Sequence, residues 1–313
     1  MDLNALLIAA FYTLVFPGFL FAGTVGLFLT WVDRKVTAVV QSRIGPPWFQ
    51  PYADIGKLLA KRMLIPRGSQ AAVFLAAPLV AVAGATLATV IILRTVIAPS
   101  SGFVGDLIVL IYLTSLPAIA LIIGGAASRS PFGAIGAGRE MGLILAYEVG
   151  FLLAAITVLV KVGSVRLGDI AAYQVVHGPV ALSLSGLLAL GVAMFCIQAK
   201  LGFLPFDISE ADTELIGGPL AEYSGAGLAL FKLARAMMFF TLPVFVVVLF
   251  LGAPQPDALS WLGFVLELLV VITVIIVVKT THARLRLDQA LGLFWGRLAA
   301  TAAAGVALAL LGL

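Results

Sequence analysis

Residues 71–97 read AAVFLAAPLVAVAGATLATVIILRTVI, and Arg94 is the sole charged residue in the stretch. A helix needs about 20 mostly apolar residues to cross a hydrocarbon layer about 30 Å thick. Backbone groups inside lipid have to bond within their own segment, so a spanning segment of this kind is helical. The stretch therefore predicts a transmembrane α-helix.

Seven more apolar stretches accompany this one. The predicted spans are 4–32, 71–97, 106–127, 142–161, 180–200, 226–252, 258–279 and 290–312. The 313-residue chain is 62% apolar and 11% charged, whereas a soluble domain carries roughly 25% charged residues. We read the first stretch as a span and not as a signal peptide, because no basic residue precedes it. The sequence predicts an all-α integral membrane protein, with 1–313 as a single domain of about eight transmembrane helices.

Lysine and arginine are concentrated in the odd-numbered loops of this arrangement. These loops are 33–70, 128–141, 201–225 and 280–289. Basic residues favour the cytoplasmic side of a membrane, so we expect these loops in the cytoplasm and both termini outside. The sequence then predicts a multi-pass protein of the cell's inner (cytoplasmic) membrane. The net charge of +4 is explained by this bias, and no nucleic-acid-binding motif accompanies it.

The first long loop contains a segment with helical periodicity. In 50–62, QPYADIGKLLAKR, the residues Tyr52, Ile55, Leu58 and Leu59 recur at helical spacing. This pattern predicts a short amphipathic helix at the membrane surface. An ordinary polar linker is the alternative.

Residues that bind metals or perform catalysis are scarce. Cys196 is the only cysteine, whereas an iron–sulfur cluster needs several thiolates. His177 and His282 lie far apart in the sequence and lack the spacing of a metal site. We predict no catalytic residue, no metal site and no redox centre in this chain.

Three polar clusters stand out in the predicted cytoplasmic loops. The first runs from Asp33-Arg34-Lys35 through Gln41–Pro47 to Gln50-Pro51. Glycine followed by two prolines, at 45–47, predicts a stiff non-helical turn. A charged run after a span is usually a topology anchor, which explains the arginines but leaves the rigid turn unexplained.

The second cluster is 139–148, REMGLILAYE. Hydropathy places Glu148 inside the fourth span, where an ionised carboxylate needs a partner, a wet cavity or a proton. A proton-carrying role is one interpretation. An inert buried ion pair is the other.

The third cluster is 205–225, PFDISEADTELIGGPLAEYSG, which places five acids in one loop: Asp207, Glu210, Asp212, Glu214 and Glu222. If the chain were helical after Pro205, three of these acids would share one helix face and at least one would hold a proton. Helix capping is the alternative, because Ser209 and Asp212 fit a capping box. Capping explains two acids and leaves the others unexplained.

Three further charges fall within predicted spans. Glu267 lies midway along the seventh span and needs a partner that the sequence does not identify. Lys232 and Arg235 share a helix face near the start of the sixth span, where they are candidate counter-ions for the acids.

At these clusters the sequence resembles the membrane heel subunit shared by respiratory complex I and the membrane-bound energy-converting NiFe hydrogenases. The matching motifs are Asp33-Arg34-Lys35, Gln41–Pro46, Gln50-Pro51 with Asp54, Lys57-Leu58-Leu59, Arg139 with Tyr147-Glu148-Val149, Pro205–Leu215 and Glu222–Gly225. Together they cover about 30–235, and the set is far more specific than any one motif.

Two departures favour the hydrogenase branch, including complexes of the formate hydrogenlyase type. Only 47–49 separate the Ile-Gly-Pro and Gln-Pro motifs, where the complex I form carries a longer insertion. In complex I this region helps to frame the quinone chamber, so the resemblance does not extend to a quinone substrate. Asp33 and Asp212 stand where glutamates are expected, with the charge kept.

The resemblance implies a non-catalytic subunit of a redox-driven ion pump. Its partners would be soluble hydrogenase-like large and small subunits, an iron–sulfur subunit and antiporter-like membrane subunits. Those partners would carry the iron–sulfur clusters and the NiFe centre. The implied proton or ion coupling set is Glu148, Asp207, Glu210, Asp212, Glu214, Glu222 and Glu267. The implied docking and ion-pair set is Arg34, Lys35, Arg43, Asp54, Arg139, Lys232 and Arg235.

Three other functions remain open from the sequence. The chain could be the quinone-site subunit of a complex I-like dehydrogenase, a stand-alone secondary transporter, or a structural anchor whose acids only cap helices. A transporter would be expected to show an internal repeat, and we find none.

Overall fold

The computed structural model describes residues 3–313, and this range is helical without a β-strand. The helices are α1 (Leu3–Leu14), α2 (Phe19–Val40), α3 (Gln50–Ala60), α4 (Ala71–Ile97), α5 (Asp106–Ala127), α6 (Pro131–Val162), α7 (Leu167–His177), α8 (Leu184–Lys200), α9 (Asp212–Leu215), α10 (Gly225–Phe250), α11 (Ala258–Thr281), α12 (Leu287–Gly292) and α13 (Ala299–Leu310). A π-helical turn, Leu293–Leu298, joins α12 to α13.

The predicted fold class is confirmed. Seven helical segments among the described residues are long and apolar enough to cross a membrane: α1 with α2 (Leu6–Val40), α4, α5, α6, α10, α11, and α12 with α13 (Leu287–Leu310). The shorter apolar helix α8 accounts for the remaining predicted span. The protein is therefore an all-α polytopic membrane protein.

Three helix boundaries differ from the prediction. α2 continues to Val40 instead of ending at 32, and α6 begins at Pro131 instead of 142, so most of the predicted loop 128–141 is helical. Hydropathy detects membrane depth, whereas helices extend into water wherever charged residues tolerate helical geometry. Proline is also well suited to the first turn of α6. The first predicted span is interrupted between α1 and α2 around Pro17, which cannot continue a helix.

The chain forms two compact units. The first comprises residues up to Val90, Leu113–Gly142 and Asp207–Thr241, and the second comprises Ile91–Tyr112, Leu143–Phe206 and Leu242–Leu313.

In the first unit, α2 packs closely against α10. A Cβ atom added to Gly26 would overlap the backbone of Ala236, and the rings of Phe21 and Phe240 meet edge to face at 5.9 Å. Small residues let helix backbones approach in membranes, where close packing replaces the hydrophobic driving force. Gly26 is therefore required by the geometry of this contact.

The predicted amphipathic helix is confirmed as α3, which lies against α2. The Tyr52 hydroxyl donates to the Thr24 carbonyl at 2.8 Å, and the Trp31 indole N–H donates to the Pro46 carbonyl at 3.0 Å. These bonds hold the stiff 45–47 turn and α3 against the end of α2.

In the second unit, α13 packs on α8, and the Ser185 hydroxyl donates to the Leu313 carbonyl at 2.5 Å. Phe151 on α6 meets Phe245 on α10 with ring centroids 5.9 Å apart. Residues 242–250 of α10 are buried throughout. This helix therefore supplies much of the apolar core of the unit.

Candidate functional site

The first unit gathers three carboxylates around one arginine. Glu140 on α6 is only 5% exposed and accepts a hydrogen bond from the Ser209 side chain, with the charges of Asp207, Glu210 and Arg235 close by. An Arg235 guanidinium nitrogen lies 2.6 Å from Glu210 Oε1. We call Glu140, Asp207, Glu210 and Arg235 the acidic cluster.

The charge balance of the acidic cluster is uneven. Three carboxylates surround one guanidinium, and the Glu210 side chain is only 13% exposed. Like charges in a poorly solvated site disfavour full ionisation, and their titrations are coupled. A bound proton would therefore relieve the surplus negative charge.

The loop that carries these acids is not the predicted helix. Residues 201–211 form turns, and α9 covers only Asp212–Leu215, so the prediction that Asp207, Glu210 and Glu214 share one helix face is wrong. Gly202 and Pro205 interrupt helical geometry. The long-range ion pair of Glu210 orients that side chain instead.

The predicted capping box is also wrong. The residue that caps α9 is Ala211, and no side-chain capping bond is present there. Placement of the Asp212 side chain, which the sequence put in the coupling set, lies outside the described residues.

Glycines on α5 and α6 make room for the end of the acidic loop. A Cβ on Gly125 would lie 2.8 Å from Pro219 Cβ, and one on Gly136 would lie 2.6 Å from Pro219 Cδ. Tyr223 stacks on Phe74 with centroids 4.0 Å apart and donates its hydroxyl to the Phe74 carbonyl at 2.9 Å. Burial raises the pKa of the Tyr223 phenol, which keeps it a neutral donor. The loop is thus pinned on both sides.

Arg139 and Glu214 form a second ion pair in this unit. Their closest atoms are 2.5 Å apart, and the side chains are 29% and 55% exposed. Exposed pairs contribute about 0–1 kcal/mol. This contact orients α9 more than it stabilises the fold.

A third pair connects α2 to α3. Arg34 donates to Asp54 at 2.8 Å, and Gln50 donates to the other carboxylate oxygen at 2.8 Å. The hydrogen bond from Arg34 lowers the pKa of Asp54 below its ordinary value. Lys35 is partly buried beside Gly45.

In the second unit, Glu148 on α6 pairs with Lys200 at the end of α8. Lys200 Nζ lies 2.8 Å from Glu148 Oε2, with the lysine side chain 1% exposed and the glutamate side chain 18% exposed. The ammonium also lies 4.8 Å from the ring centroid of Phe151 and 5.3 Å from that of Tyr147. Both aromatic faces favour the cation.

Four predicted site residues remain apart from these groups. Arg43, Glu222 and Lys232 are exposed, and Glu267 is partly buried on α11. Within residues 3–313, none of the four side chains makes a hydrogen bond or an ion pair.

Two residues were missed by the sequence interpretation. Glu140 was placed in the loop 128–141, so its burial was not expected, although it lies inside the REMGLILAYE cluster. Lys200 was counted only as a loop charge. The available signal was its position directly after an apolar span, where a buried cation needs an acid.

Nothing in the described part of the chain resembles a metal centre. No group of three or more histidine, cysteine, aspartate or glutamate residues there could hold a metal ion. Cys196 is buried and reduced. The chemistry that these groups offer is proton exchange and ion pairing.

A polytopic helical bundle that buries a lysine–glutamate pair and an arginine-bound carboxylate cluster belongs to the class of membrane proteins with intramembrane charge networks. The family model described as NADH dehydrogenase matches residues 12–310, and the chain belongs to that family. It is a membrane subunit of a complex I-like respiratory complex, in agreement with the resemblance to the heel subunit.

Curated relatives support this assignment. The chain is 34% identical to a membrane subunit of the NADH-quinone oxidoreductase of Carboxydothermus hydrogenoformans, over 86% of this chain and 79% of the relative. It is 35% identical to the corresponding subunit from Chelativorans sp., over 86% of this chain and 84% of the relative.

A solved structure is similar throughout. One chain from the membrane-bound sulfane sulfur reductase, an archaeal respiratory membrane complex, aligns with a TM-score of 0.85 and 29% identity over 98% of both chains. The similarity therefore extends over nearly the whole fold.

Proposed function

We propose that this chain is the coupling subunit of a redox-driven ion pump of the energy-converting hydrogenase type. It anchors a soluble electron-transfer arm and couples electron transfer to translocation of protons or sodium ions. The observation that carries the proposal is the acidic cluster, in which Glu140 is almost fully buried beside two more carboxylates and Arg235.

The coupling argument is electrostatic. Negative charge that arrives in an adjacent subunit raises the proton affinity of nearby carboxylates, and its departure lowers that affinity. Burial keeps the interaction strong because little water screens it. A cluster with surplus negative charge responds to such a change by taking up and releasing a proton.

The Glu148–Lys200 pair offers a second proton-exchange group. A proton delivered to Glu148 would remove the counter-charge of a lysine that is only 1% exposed. The pair therefore resists protonation unless a negative charge or a second base stabilises the lysine at the same time. This resistance suits a gate in a proton path better than a passive anchor.

Anchoring of the soluble arm is assigned to the first long loop. Ile44 is 99% exposed and Trp48 is 62% exposed, next to the stiff turn that Trp31 holds. Exposed apolar side chains rimmed by Arg43 and Lys57 are typical of a protein interface. The proposed partners are soluble hydrogenase-like large and small subunits with an iron–sulfur subunit, and these would contain the iron–sulfur clusters and the NiFe centre.

The short segment at 47–49 supports the hydrogenase branch over a quinone-reactive complex. The similarity to a chain of a sulfane sulfur reductase also favours a relative that does not reduce quinone. The names of the curated relatives favour the second candidate, a quinone-site subunit. Nickel in the purified complex would support the first, and quinone-dependent turnover would support the second.

The test uses the complete complex reconstituted in vesicles. Glu140→Gln and Glu210→Gln keep the size of each side chain and remove its charge. Both are expected to lower the ions moved per electron at least tenfold while the complex assembles normally. Asp257→Asn, at an exposed carboxylate outside the cluster, is the matched control and should pump normally. Unchanged pumping by both cluster variants would remove the acids from the mechanism.

A further inference from the structure

Glu267 lies in the middle of α11, a span whose most apolar window is only 28% buried. Within residues 3–313, its side chain makes no hydrogen bond or ion pair. Ionisable residues within a bilayer face a bundle interior or wet cavity and pair with another polar group. The described part of the chain does not supply this group, so a partner molecule is required.

A groove between α8 and α11 runs beside this position. It has a volume of about 380 Å³ and is lined by Leu187, Gly191, Met194, Phe195, Val274 and Val278, among others. A Cβ on Gly191 would meet nothing within 4 Å, so the groove is open at this glycine. Helices that associate in membranes use small residues of this kind for close approach.

The register of the two helices places Glu267 at the groove. The Gln198 amide donates to the Ile275 carbonyl, and Lys279 lies over the Phe203 ring, so α8 and α11 run parallel. Seven residues before Gln198 is Gly191, and seven residues before Ile275 is the neighbour of Glu267. Equal rise per residue therefore sets Gly191 and Glu267 at the same depth.

Helical periodicity puts Glu267 on the groove side of α11. Val274 follows it by seven residues and Val278 by eleven, which returns each to nearly the same direction around the helix. Both valines line the groove. The open glycine, the apolar walls and the carboxyl group therefore form one continuous surface.

We propose that this α8–α11 groove binds a transmembrane helix of a neighbouring membrane subunit, and that this helix presents a lysine, arginine, histidine or amide side chain to Glu267. A lipid acyl chain would fill the apolar groove but leave the carboxyl group without a partner. Charge complementarity therefore selects a helix with a polar side chain over a lipid. The inference rests on the proposed function only in placing the chain within a multi-subunit membrane complex.

Photocrosslinking in the intact complex tests the occupant. Val274→p-benzoylphenylalanine places the probe in the groove, and Leu269→p-benzoylphenylalanine places it on the opposite side of the same helix. The groove probe should yield a crosslinked peptide from an apolar membrane-spanning segment with a lysine, arginine, histidine, asparagine or glutamine within one turn. The control probe should not yield that peptide. A groove probe that captures only lipid, or only a second copy of this chain, overturns the proposal.

A second experiment measures retention of the same neighbouring protein in mild detergent. Glu267→Leu removes the polar contact, and Gly191→Leu fills the open position. Interhelical hydrogen bonds in membranes predict about 3- to 17-fold weaker retention for Glu267→Leu. Gly296→Leu, at another exposed glycine with nothing within 4 Å, should retain the neighbour fully. Full retention in both groove variants overturns the proposal. Because neither readout is ion pumping, a failure of the coupling proposal would leave these results distinct.

Discussion

Removing the charge of Glu148 should destabilise the second unit far more than removing that of Lys200. The ammonium is 1% exposed, so Glu148→Gln leaves a buried cation without its counter-charge. Lys200→Met leaves a carboxylate that is 18% exposed and reaches water more readily. The two variants delete the same ion pair, and the difference between them reports which charge depends on it.

The magnitude follows from two limits. Breaking a buried pair by removing one partner costs about 3–5 kcal/mol. The stranded lysine can lose its proton instead, which costs about 4.6 kcal/mol at pH 7 for a lysine of ordinary pKa. The expected loss for Glu148→Gln is therefore about 3–4.6 kcal/mol at pH 7. It should shrink as the pH rises, because the unfolded state then holds the extra proton less strongly.

The single cysteine of the chain provides the assay. Cys196 is buried one helical turn before Lys200 on α8, so a thiol reagent reaches it only when this helix opens. When opening is rapid, the alkylation rate reports the population of the open form. Glu148→Gln should accelerate alkylation about 150- to 2,000-fold at pH 7, normalised to the rate in the denatured chain.

The double variant supplies the control. Glu148→Gln with Lys200→Met removes both charges, and its alkylation should return to within about tenfold of the wild type, since replacing both partners can be nearly neutral. If the two single variants have equal effects, or if their effects simply add in the double variant, Lys200 does not depend on Glu148 and the reasoning fails.

Two further predictions concern the first unit. Gly26→Ala should lower thermal stability by about 1–3 kcal/mol, because the new methyl group meets the Ala236 backbone, while Gly23→Ala on the same helix meets only ordinary contacts and should be neutral. Asp54→Asn should cost at most about 1 kcal/mol, because its pair with Arg34 is substantially exposed. Since the pKa of Asp54 is lowered, this contribution is present above pH 4 and is lost as the pH falls through the folded-state pKa, which hydrogen exchange of α3 would show.

Much of the architecture was predictable because hydrophobicity acts locally. The bilayer imposes a length and a composition on each span, and every residue in that window contributes to the signal. The helix α3 was predictable for a similar reason, since the spacing of Tyr52, Ile55, Leu58 and Leu59 is a property of adjacent turns.

The acidic loop shows where local reasoning fails. Five acids within 205–225 suggested a helix with one charged face, but the chain turns there and Glu210 reaches Arg235 on α10. Burial of Glu140 depends on Ser209, which is distant in sequence. Pairings of this kind arise from packing and leave little local pattern.

By itself, the sequence determined that this protein crosses a membrane as a bundle of helices, which residues carry charge near its cytoplasmic edge, and which family it resembles. Only the tertiary structure decided which acid meets which base, that Glu140 and Lys200 are buried, and that Glu267 has no partner among the described residues. The physical reason is range: transfer of a segment into lipid depends on its own composition, whereas an ion pair depends on where two distant segments come to lie.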